Sequence, residues 1–412
     1  MTDLSRNIEH KINELLDFFP VVLILGARQT GKTTMARKCA PNWSYFDLQN
    51  GKDFDLISQD PDFFFKEHPH QVIIDEAQEH PQLFKELRGV IDANRKQKGR
   101  FILTGSSSPE LLKEASDSLA GRIGIVEVGT LKMNEIQKRI LSPFFDIFRN
   151  PLNKEKNTSF LKKLNIPKVD VIDLFLKGGY PEPILINDLK FHRNWMENYY
   201  QTYINRDVRK LFPKLDSIKY RRFIDILSSL SGTIVNKAQL GRSIDVSEVT
   251  IRDYLEVAHA TFIWRKIPSY EKSKSKSITK MPKGIFRDSG LAHFLAGVES
   301  REQLLKYANV GTSFEAFAIE EILKGLESLD IGRWDYYYYR TRNGSEVDLI
   351  LEGSFGVLPI EIKFGMNTDL KQLTSLKKFI KDNNLEYGIV INNSSEVRML
   401  SEEIIQIPVS CL

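Results

Sequence analysis

The chain of 412 residues is poor in cysteine and histidine, with two cysteines and seven histidines. Cys39 and Cys411 are far apart, so the sequence supports neither a disulfide framework nor a cysteine-rich zinc site. No apolar run approaches the roughly 18 residues that a membrane-spanning helix needs. The polar N-terminal stretch lacks the apolar core of a signal peptide. We therefore expect a cytoplasmic protein with no membrane partner.

Positive charge is unevenly distributed, although the net charge is only +4. Residues 1–150 carry 20 Lys and Arg against 21 Asp and Glu, residues 151–283 carry 25 against 14, and residues 284–412 carry 13 against 19. The three segments therefore have net charges of −1, +11 and −6, which sum to +4. A basic middle segment is typical of contact with a phosphate backbone, but also of a solvated helical surface. The sequence leaves both interpretations open.

The segment from Val21 to Thr34 carries the most specific motif. Five apolar residues, Val21–Leu25, predict a buried parallel strand. The next residues match G-x-x-x-x-G-K-[ST], a loop whose backbone N–H groups point at a polyphosphate. The Lys32 ammonium is expected to reach the β and γ phosphates, and the Thr33 hydroxyl to ligate Mg²⁺. The expected nucleotide-binding residues are Gly26, Ala27, Arg28, Gln29, Thr30, Gly31, Lys32, Thr33 and Thr34.

An acidic pair follows the apolar run Val72–Ile74. We expect Asp75 to hold the Mg²⁺ through water and Glu76 to polarise the attacking water. A third strand, Phe101–Thr104, precedes serines that either contact the γ phosphate or form a plain turn. Arg122 precedes a further apolar strand. It either neutralises transition-state charge, in cis or on a neighbouring subunit, or caps the surface.

Strands that alternate with helices predict a parallel α/β sheet whose ligand lies at the carboxyl ends of the strands. With the segments GARQTGKTT, YFDL, IIDEAQ, ILTGSSS and LAGR, residues 1–150 resemble a prokaryotic AAA+ P-loop ATPase of the kind that carries a C-terminal domain of unknown function. The resemblance implies that ATP is bound and hydrolysed with Mg²⁺. It also implies a homo-oligomer, whose interface the sequence does not identify.

Residues 151–217 predict a polar linker, over residues 150–163, and a helical lid. Two segments within this part, Gly178–Glu182 and Tyr203–Val208, resemble the same family, which suggests a lid or hinge. Residues 218–283 predict a helix, a short helix, a tight turn and a longer helix, which is the order of a helix-turn-helix.

In the longer helix of this motif, Ser247 is expected to be the N-cap. The residues expected to pack inward are Val249, Tyr254, Leu255 and Ala258, and those expected to face outward are Thr250, Arg252 and Asp253. A following Lys/Ser-rich stretch, residues 272–283, predicts the tip of a wing. This wing either contacts DNA phosphates or packs subunits together.

Residues 284–412 predict a helix containing Glu315, then a hairpin and a strand pair. Alternation along one strand puts Glu361 and Lys363 on the same face. If Asp348 lies on the adjacent strand, carboxylates and an ammonium converge in a grouping that can hold Mg²⁺ and orient a water for attack on a phosphodiester. Glu315 would complete the acidic cluster.

This order resembles the PD-(D/E)xK nuclease fold, although Val347 stands where that family usually has proline. The resemblance implies catalytic roles for Asp348, Glu361 and Lys363, and metal ligation by Glu315, Asp348 and Glu361. The negative net charge of this segment argues against unaided DNA binding, so the basic middle segment would deliver the DNA. The same residues are also common on exposed strands, and a fold can keep them after losing its chemistry.

The sequence thus predicts an α/β protein in four parts. These are a P-loop AAA+ parallel-sheet ATPase core (1–150), a linker and helical lid (151–217), a winged helix-turn-helix (218–283) and a restriction-endonuclease-like α/β domain (284–412). We expect an ATP-hydrolysing, DNA-associated protein with a possible Mg²⁺-dependent nuclease. The alternative is a nucleotide-dependent protein-interaction switch with an inactive tail. A small-molecule kinase would share the phosphate loop, but the sequence shows no acceptor site.

Overall fold

The computed structural model describes residues 4–106, 114–115, 117–209, 212–271, 281–341 and 343–412. The chain divides into two compact units: the first runs to Leu131 and includes Ala260–Phe262, and the second comprises Lys132–His259 and Ile263–Leu412. Within the described ranges, no helix is long and apolar enough to cross a bilayer. The finer division of the chain into four parts stays a prediction.

A five-stranded parallel sheet forms the centre of the first unit, with strand order β2-β3-β4-β1-β5. Its strands are β1 (Val21–Gly26), β2 (Ser44–Asp47), β3 (Val72–Asp75), β4 (Phe101–Ser106) and β5 (Ile123–Glu127). Its helices are α1 (Glu9–Phe18), α2 (Lys32–Cys39), α3 (Gly51–Ser58), α4 (Pro61–Glu67) and α5 (Leu83–Ala93), with a 3-10 turn at Ala77–Glu79. The predicted parallel α/β sheet is confirmed.

The apolar run of β1 lies in this sheet with both faces covered. Val21, Leu23 and Leu25 belong to one hydrophobic cluster, whereas Val22 and Ile24 belong to another. Because alternate side chains of a strand point to opposite faces, the two clusters lie on opposite sides of the sheet. The burial of β1, β3 and β4 along their whole length follows from this arrangement.

The second unit begins with helices. These are α6 (Met133–Ile136), α7 (Lys154–Leu161), α8 (Val171–Lys177), α9 (Pro181–Ile186), α10 (Leu189–Thr202), α11 (Ser217–Ser229), α12 (Lys237–Ile244) and α13 (Glu248–Ala260), with 3-10 helix at Pro143–Arg149 and π-helix at Tyr203–Val208. The predicted linker thus contains α7. The Asn153 side chain accepts a hydrogen bond from Lys156 N at 2.9 Å to cap it, and Leu161 is fully buried.

The part of the second unit that contains α11, α12 and α13 also has a small antiparallel sheet with order β6-β8-β7. Its strands are β6 (Thr233–Ile234), β7 (Trp264–Ile267) and β8 (Lys283–Phe286). The predicted cap is present, since Ser247 Oγ accepts from Thr250 N at 3.0 Å. The prediction for Val249 was wrong: this residue is 56% exposed, and Ile251 packs inward instead.

A six-stranded mixed sheet with order β13-β14-β12-β11-β10-β9 forms the C-terminal part of the second unit. Its strands are β9 (Trp334–Arg340), β10 (Glu346–Gly353), β11 (Gly356–Lys363), β12 (Gly388–Asn392), β13 (Arg398–Ser401) and β14 (Ile404–Pro408). The accompanying helices are α14 (Ser289–Leu295), α15 (Arg301–Lys306), α16 (Val310–Glu327) and α17 (Thr374–Asp382), with 3-10 helix at Leu370–Leu373 and Val409–Cys411. The pairing of β10 with β9 shifts register between Val347 and Ile350, so the ladder is irregular in the stretch that contains Asp348.

The segment Gly178–Glu182, which resembles the same family as the first unit, contacts Asp288 within the second unit. Gly178 has φ +71°, and a Cβ there would lie 2.3 Å from Asp288 Oδ1. Gly179 N donates to Asp288 Oδ2 at 2.8 Å. Only glycine therefore fits at position 178, because any side chain would displace the buried Asp288 carboxylate.

Candidate functional site

The loop between β1 and α2 has the backbone geometry of a phosphate cradle. Gly31 has φ +90° at the start of α2. Gly26 has φ +156°, and a Cβ at this position would lie 2.1 Å from Val128 O. The backbone conformation therefore requires glycine at both positions. At Gly26 the close approach of the Val128 carbonyl is a second reason. The N-terminal N–H groups of α2 consequently face the loop.

Lys32 and Thr33 occupy the first turn of α2. The Lys32 side chain is buried, and its Nζ donates to Ala27 O in the loop at 2.8 Å. The Thr33 hydroxyl donates to Asp75 Oδ2 at 2.7 Å. The structure thus brings together the loop hydroxyl and the carboxylate that the sequence assigns to Mg²⁺.

Asp75 ends β3 and accepts hydrogen bonds from three hydroxyl groups. Besides Thr33, these come from Tyr45 of β2, at 2.7 Å to Oδ2, and from Thr104 of β4, to Oδ1. Burial, together with the hydrogen bond to Asp75, raises the pKa of the Tyr45 hydroxyl, which keeps it a donor. Arg37 lies over the Tyr45 ring, 3.7 Å from its centroid. Carboxylate and hydroxyl oxygens of this kind suit Mg²⁺, so the donor set fits the ion that the motif implies.

Glu76 follows β3 in the left-handed conformation, with φ 56° and ψ 48°. Its Oε2 accepts hydrogen bonds from Gln78 Nε2 and, at 3.1 Å, from Ser106 Oγ. Its backbone N–H donates to Thr104 Oγ1 at 3.2 Å. Ser106 therefore contacts the candidate base, whereas Ser107 and Ser108 lie outside the described residues.

Arg122 lies away from this cluster within the first unit. Its guanidinium forms a two-point pair with Asp92 of α5, at 2.7 Å from Nε to Oδ1 and 2.9 Å from Nη2 to Oδ2. Its carbonyl accepts from Val21 N, at the amino ends of β5 and β1. The phosphate loop follows the carboxyl end of β1, so Arg122 does not reach it in cis. A role on a neighbouring subunit stays a prediction.

Sequence reasoning missed two residues of this site. Tyr45 lies in the segment YFDL, which carries only the family resemblance, although a tyrosine on the strand next to the acidic motif is a usable signal. Arg6 donates to Thr30 O at 3.0 Å and to Gly129 O at 2.9 Å. These two acceptors are backbone carbonyls, which leave no signature in the sequence.

The second unit brings together the residues predicted for the nuclease-like site. Ile362 N, on β11, donates to Asp348 Oδ2 at 2.8 Å. Lys363 Nζ lies 2.5 Å from Glu361 Oε1, on one face of β11 as predicted. Burial and the neighbouring Asp348 carboxylate raise the pKa of Glu361 to about 8.

A lysine outside the predicted set lies in the same cluster. Lys283 Nζ pairs with Glu315, lies 3.1 Å from Glu346 Oε1 and lies 3.8 Å from Asp348 Oδ1. Burial lowers the pKa of Lys283, but the surrounding carboxylates, that of Glu315 foremost, raise it by more than burial lowers it. The net shift of the pKa is upward, so the ammonium stays charged. Among the residues that the structure describes, no group of three or more His, Cys, Asp or Glu side chains is arranged to hold a metal ion. Metal ligation by Glu315, Asp348 and Glu361 therefore stays a prediction without geometric support.

The comparisons with known families define the class of the first unit. Residues 19–137 match a family model described as an AAA domain, which supports a nucleotide-binding ATPase with a P-loop. Residues 168–302 and 310–412 match two models that are each described as a domain of unknown function (DUF8612 and DUF4143).

Relatives of this chain cover nearly its whole length. Uncharacterized proteins of Mycobacterium bovis and Mycobacterium tuberculosis are each 28% identical over 406 residues, which is 98% of this chain and 83% of each relative. Among solved structures, a Walker-type ATPase of Pyrococcus abyssi aligns with 70% of this chain and 94% of its own, at 18% identity and a TM-score of 0.43. The likeness to that structure is distant.

Proposed function

We propose that this chain hydrolyses ATP with Mg²⁺ at the loop Gly26–Thr33 and that it associates with DNA. The observation that carries the ATPase proposal is the 2.7 Å hydrogen bond between Thr33 and Asp75, which joins the phosphate loop to the acidic pair. A glycine-rich turn without a phosphate-binding role would not require this second motif at the end of β3, which β4 separates from β1 in the sheet.

The residues of the first unit divide the work of hydrolysis. Backbone N–H groups of the loop and the Lys32 ammonium would bind the β and γ phosphates. Thr33 and Asp75 would hold Mg²⁺, which neutralises phosphate charge when bound. Glu76 Oε2, held by Ser106, would orient the attacking water and accept its proton. The products are ADP and inorganic phosphate.

An ATPase assay of the full chain tests this proposal. We expect Mg²⁺-dependent phosphate release that rises when double-stranded DNA is added, since the basic segment would couple DNA contact to the ATPase. Phosphate release that does not depend on Mg²⁺, or that equals that of Lys32→Ala, would contradict the proposal.

Charge and element order support the DNA association. Residues 151–283 have a net charge of +11. The elements α11, β6, α12, α13, β7 and β8 follow the order of a winged helix, and Arg252 and Asp253 of α13 are exposed. Of the predicted wing tip, residues 272–280 lie outside the described residues.

Substitution of the wing lysines tests this association. Lys272, Lys274 and Lys276 changed together to alanine should weaken DNA binding and make the negative slope of log K against log salt shallower by about 2 to 3, because each phosphate contact contributes about −0.9. Fluorescence anisotropy of labelled DNA at several salt concentrations measures both. Lys377, Lys378 and Lys381 changed to alanine remove the same charge from α17 and should leave the slope unchanged. Equal slopes for wild type and the wing variant would contradict the assignment.

A second candidate is a nucleotide-dependent protein-interaction switch whose C-terminal sheet is catalytically inactive. The observation that favours it is Lys283, whose ammonium lies among the carboxylates predicted to bind metal. A cleavage assay separates the two. DNA cleavage with Mg²⁺ or Mn²⁺ that Asp348→Ala or Lys363→Ala abolishes would support the nuclease, and its absence would support the switch.

A further inference from the structure

Helix α16 carries buried carboxylates that are paired with cations from the small sheet. Glu320 pairs with Arg265 of β7, at 2.5 Å from Oε1 to Nε, and both side chains are at most 6% exposed. Glu315 pairs with Lys283 of β8, whose side chain is 1% exposed. The two glutamates, Glu315 and Glu320, lie five residues apart on this helix. Glu315 thus follows a pattern of structural ion pairs, in which a buried charge is tolerated because its partner is buried with it.

The position of Lys283 follows from the packing of β8. A Cβ on Gly284 would lie 1.9 Å from the Trp264 indole, so the indole covers that face of the strand. Alternate side chains point to opposite faces, which directs Lys283 to the side where Glu315 lies. Lys283, at the end of the Lys/Ser-rich stretch, is therefore buried in the interior and does not belong to the surface predicted for the wing.

The Lys283 ammonium takes the place that a metal ion would need. Glu315, Glu346 and Asp348 each have a carboxylate oxygen within 4 Å of it. A divalent cation bound by the same oxygens would lie about 2.0 to 2.6 Å from each of them, and therefore within a few ångströms of the ammonium. Like charges at that separation repel strongly in a buried site, where water screens them little.

We propose that Lys283 is an internal cation that closes the carboxylate cluster of the C-terminal sheet to divalent metal. The cluster is then a latent metal site, and the ammonium of β8 decides its occupancy. A further observation points the same way. Glu361 Oε2 is buried and accepts no hydrogen bond from any residue that the structure describes, so an oxygen of the cluster is left over once the ammonium groups are paired. This inference does not depend on the ATPase proposal.

Removing the ammonium should open the site. Lys283→Met keeps the length and apolar stem of the side chain but removes its charge. We expect this variant to bind about one more Mn²⁺ per chain than wild type, measured as loss of the free Mn²⁺ signal in electron paramagnetic resonance of the nucleotide-free full chain. Adding Asp348→Asn to Lys283→Met should abolish the gain. Circular dichroism shows whether each variant is folded.

Arg265→Met is the matched control, because it breaks the neighbouring buried pair with Glu320 and should gain no Mn²⁺. A folded Lys283→Met variant that gains no Mn²⁺ would overturn the proposal, as would an equal gain in Arg265→Met. Wild type compared with Asp348→Asn gives a second test that holds even where Lys283→Met does not fold. Equal Mn²⁺ binding by these two proteins supports the proposal, and weaker binding by Asp348→Asn overturns it.

Discussion

Lys32→Ala is expected to lose nucleotide binding while the protein stays folded. The ammonium would contact two phosphate groups, and a hydrogen bond to a charged group contributes about 1.5–3 kcal/mol. The loss of both contacts corresponds to an affinity at least about 100-fold lower. The fold should survive, because alanine suits the first turn of α2 and the Lys32 Nζ bonds to Ala27 O in a loop. Titration with a fluorescent ATP analogue measures the affinity.

Lys52→Ala is the matched control for this experiment. Lys52 is an exposed lysine of α3 in the same unit, so its loss removes one positive charge away from the loop. Its affinity should equal that of wild type. If Lys32→Ala bound the analogue within a factor of about two of wild type, phosphate recognition by this loop would be ruled out.

Glu76→Gln should bind ATP as wild type does but turn it over slowly. Glutamine has nearly the same shape and can still contact Ser106 and Gln78, so nucleotide affinity should not change. It cannot accept a proton from the attacking water. General-base catalysis contributes about 10²–10⁴-fold, so kcat should fall by that factor. Steady-state phosphate release at saturating ATP, with the analogue titration beside it, separates turnover from binding.

The control variant for this prediction is Glu67→Gln, which makes the same chemical change at an exposed position at the end of α4. Its kcat should match wild type. Normal turnover in Glu76→Gln would show that another group accepts the proton. Equal loss of binding and turnover would instead assign Glu76 to nucleotide affinity.

The predictable features of this chain are those encoded in local patterns. The apolar run of β1, the glycines of the loop and the acidic pair after β3 specify a parallel sheet with a candidate phosphate site at its carboxyl edge. Their signal is strong because strand, turn and helix each require particular residues in consecutive positions. The same local logic placed Ser247 at the start of α13.

The unpredictable features depend on packing between distant segments. The exposure of Val249 and burial of Ile251 reflect which face of α13 meets its neighbours, and periodicity alone left that face ambiguous. Asn153 caps a helix in a segment whose polar composition predicted a linker. Lys283 looked like part of a basic surface, because nothing in its neighbourhood along the chain reveals the carboxylates of α16 and β10 around it. A buried ion pair has no sequence signature on either side.

A crystal structure of the full chain with Mg²⁺ and a non-hydrolysable ATP analogue would test the central assignment most directly. We expect the triphosphate to lie on the N–H groups of Gly26–Thr33, with Lys32 at its outer phosphates and Mg²⁺ at Thr33. An analogue found elsewhere on the protein, with the loop in contact only with its own side chains, would contradict the assignment.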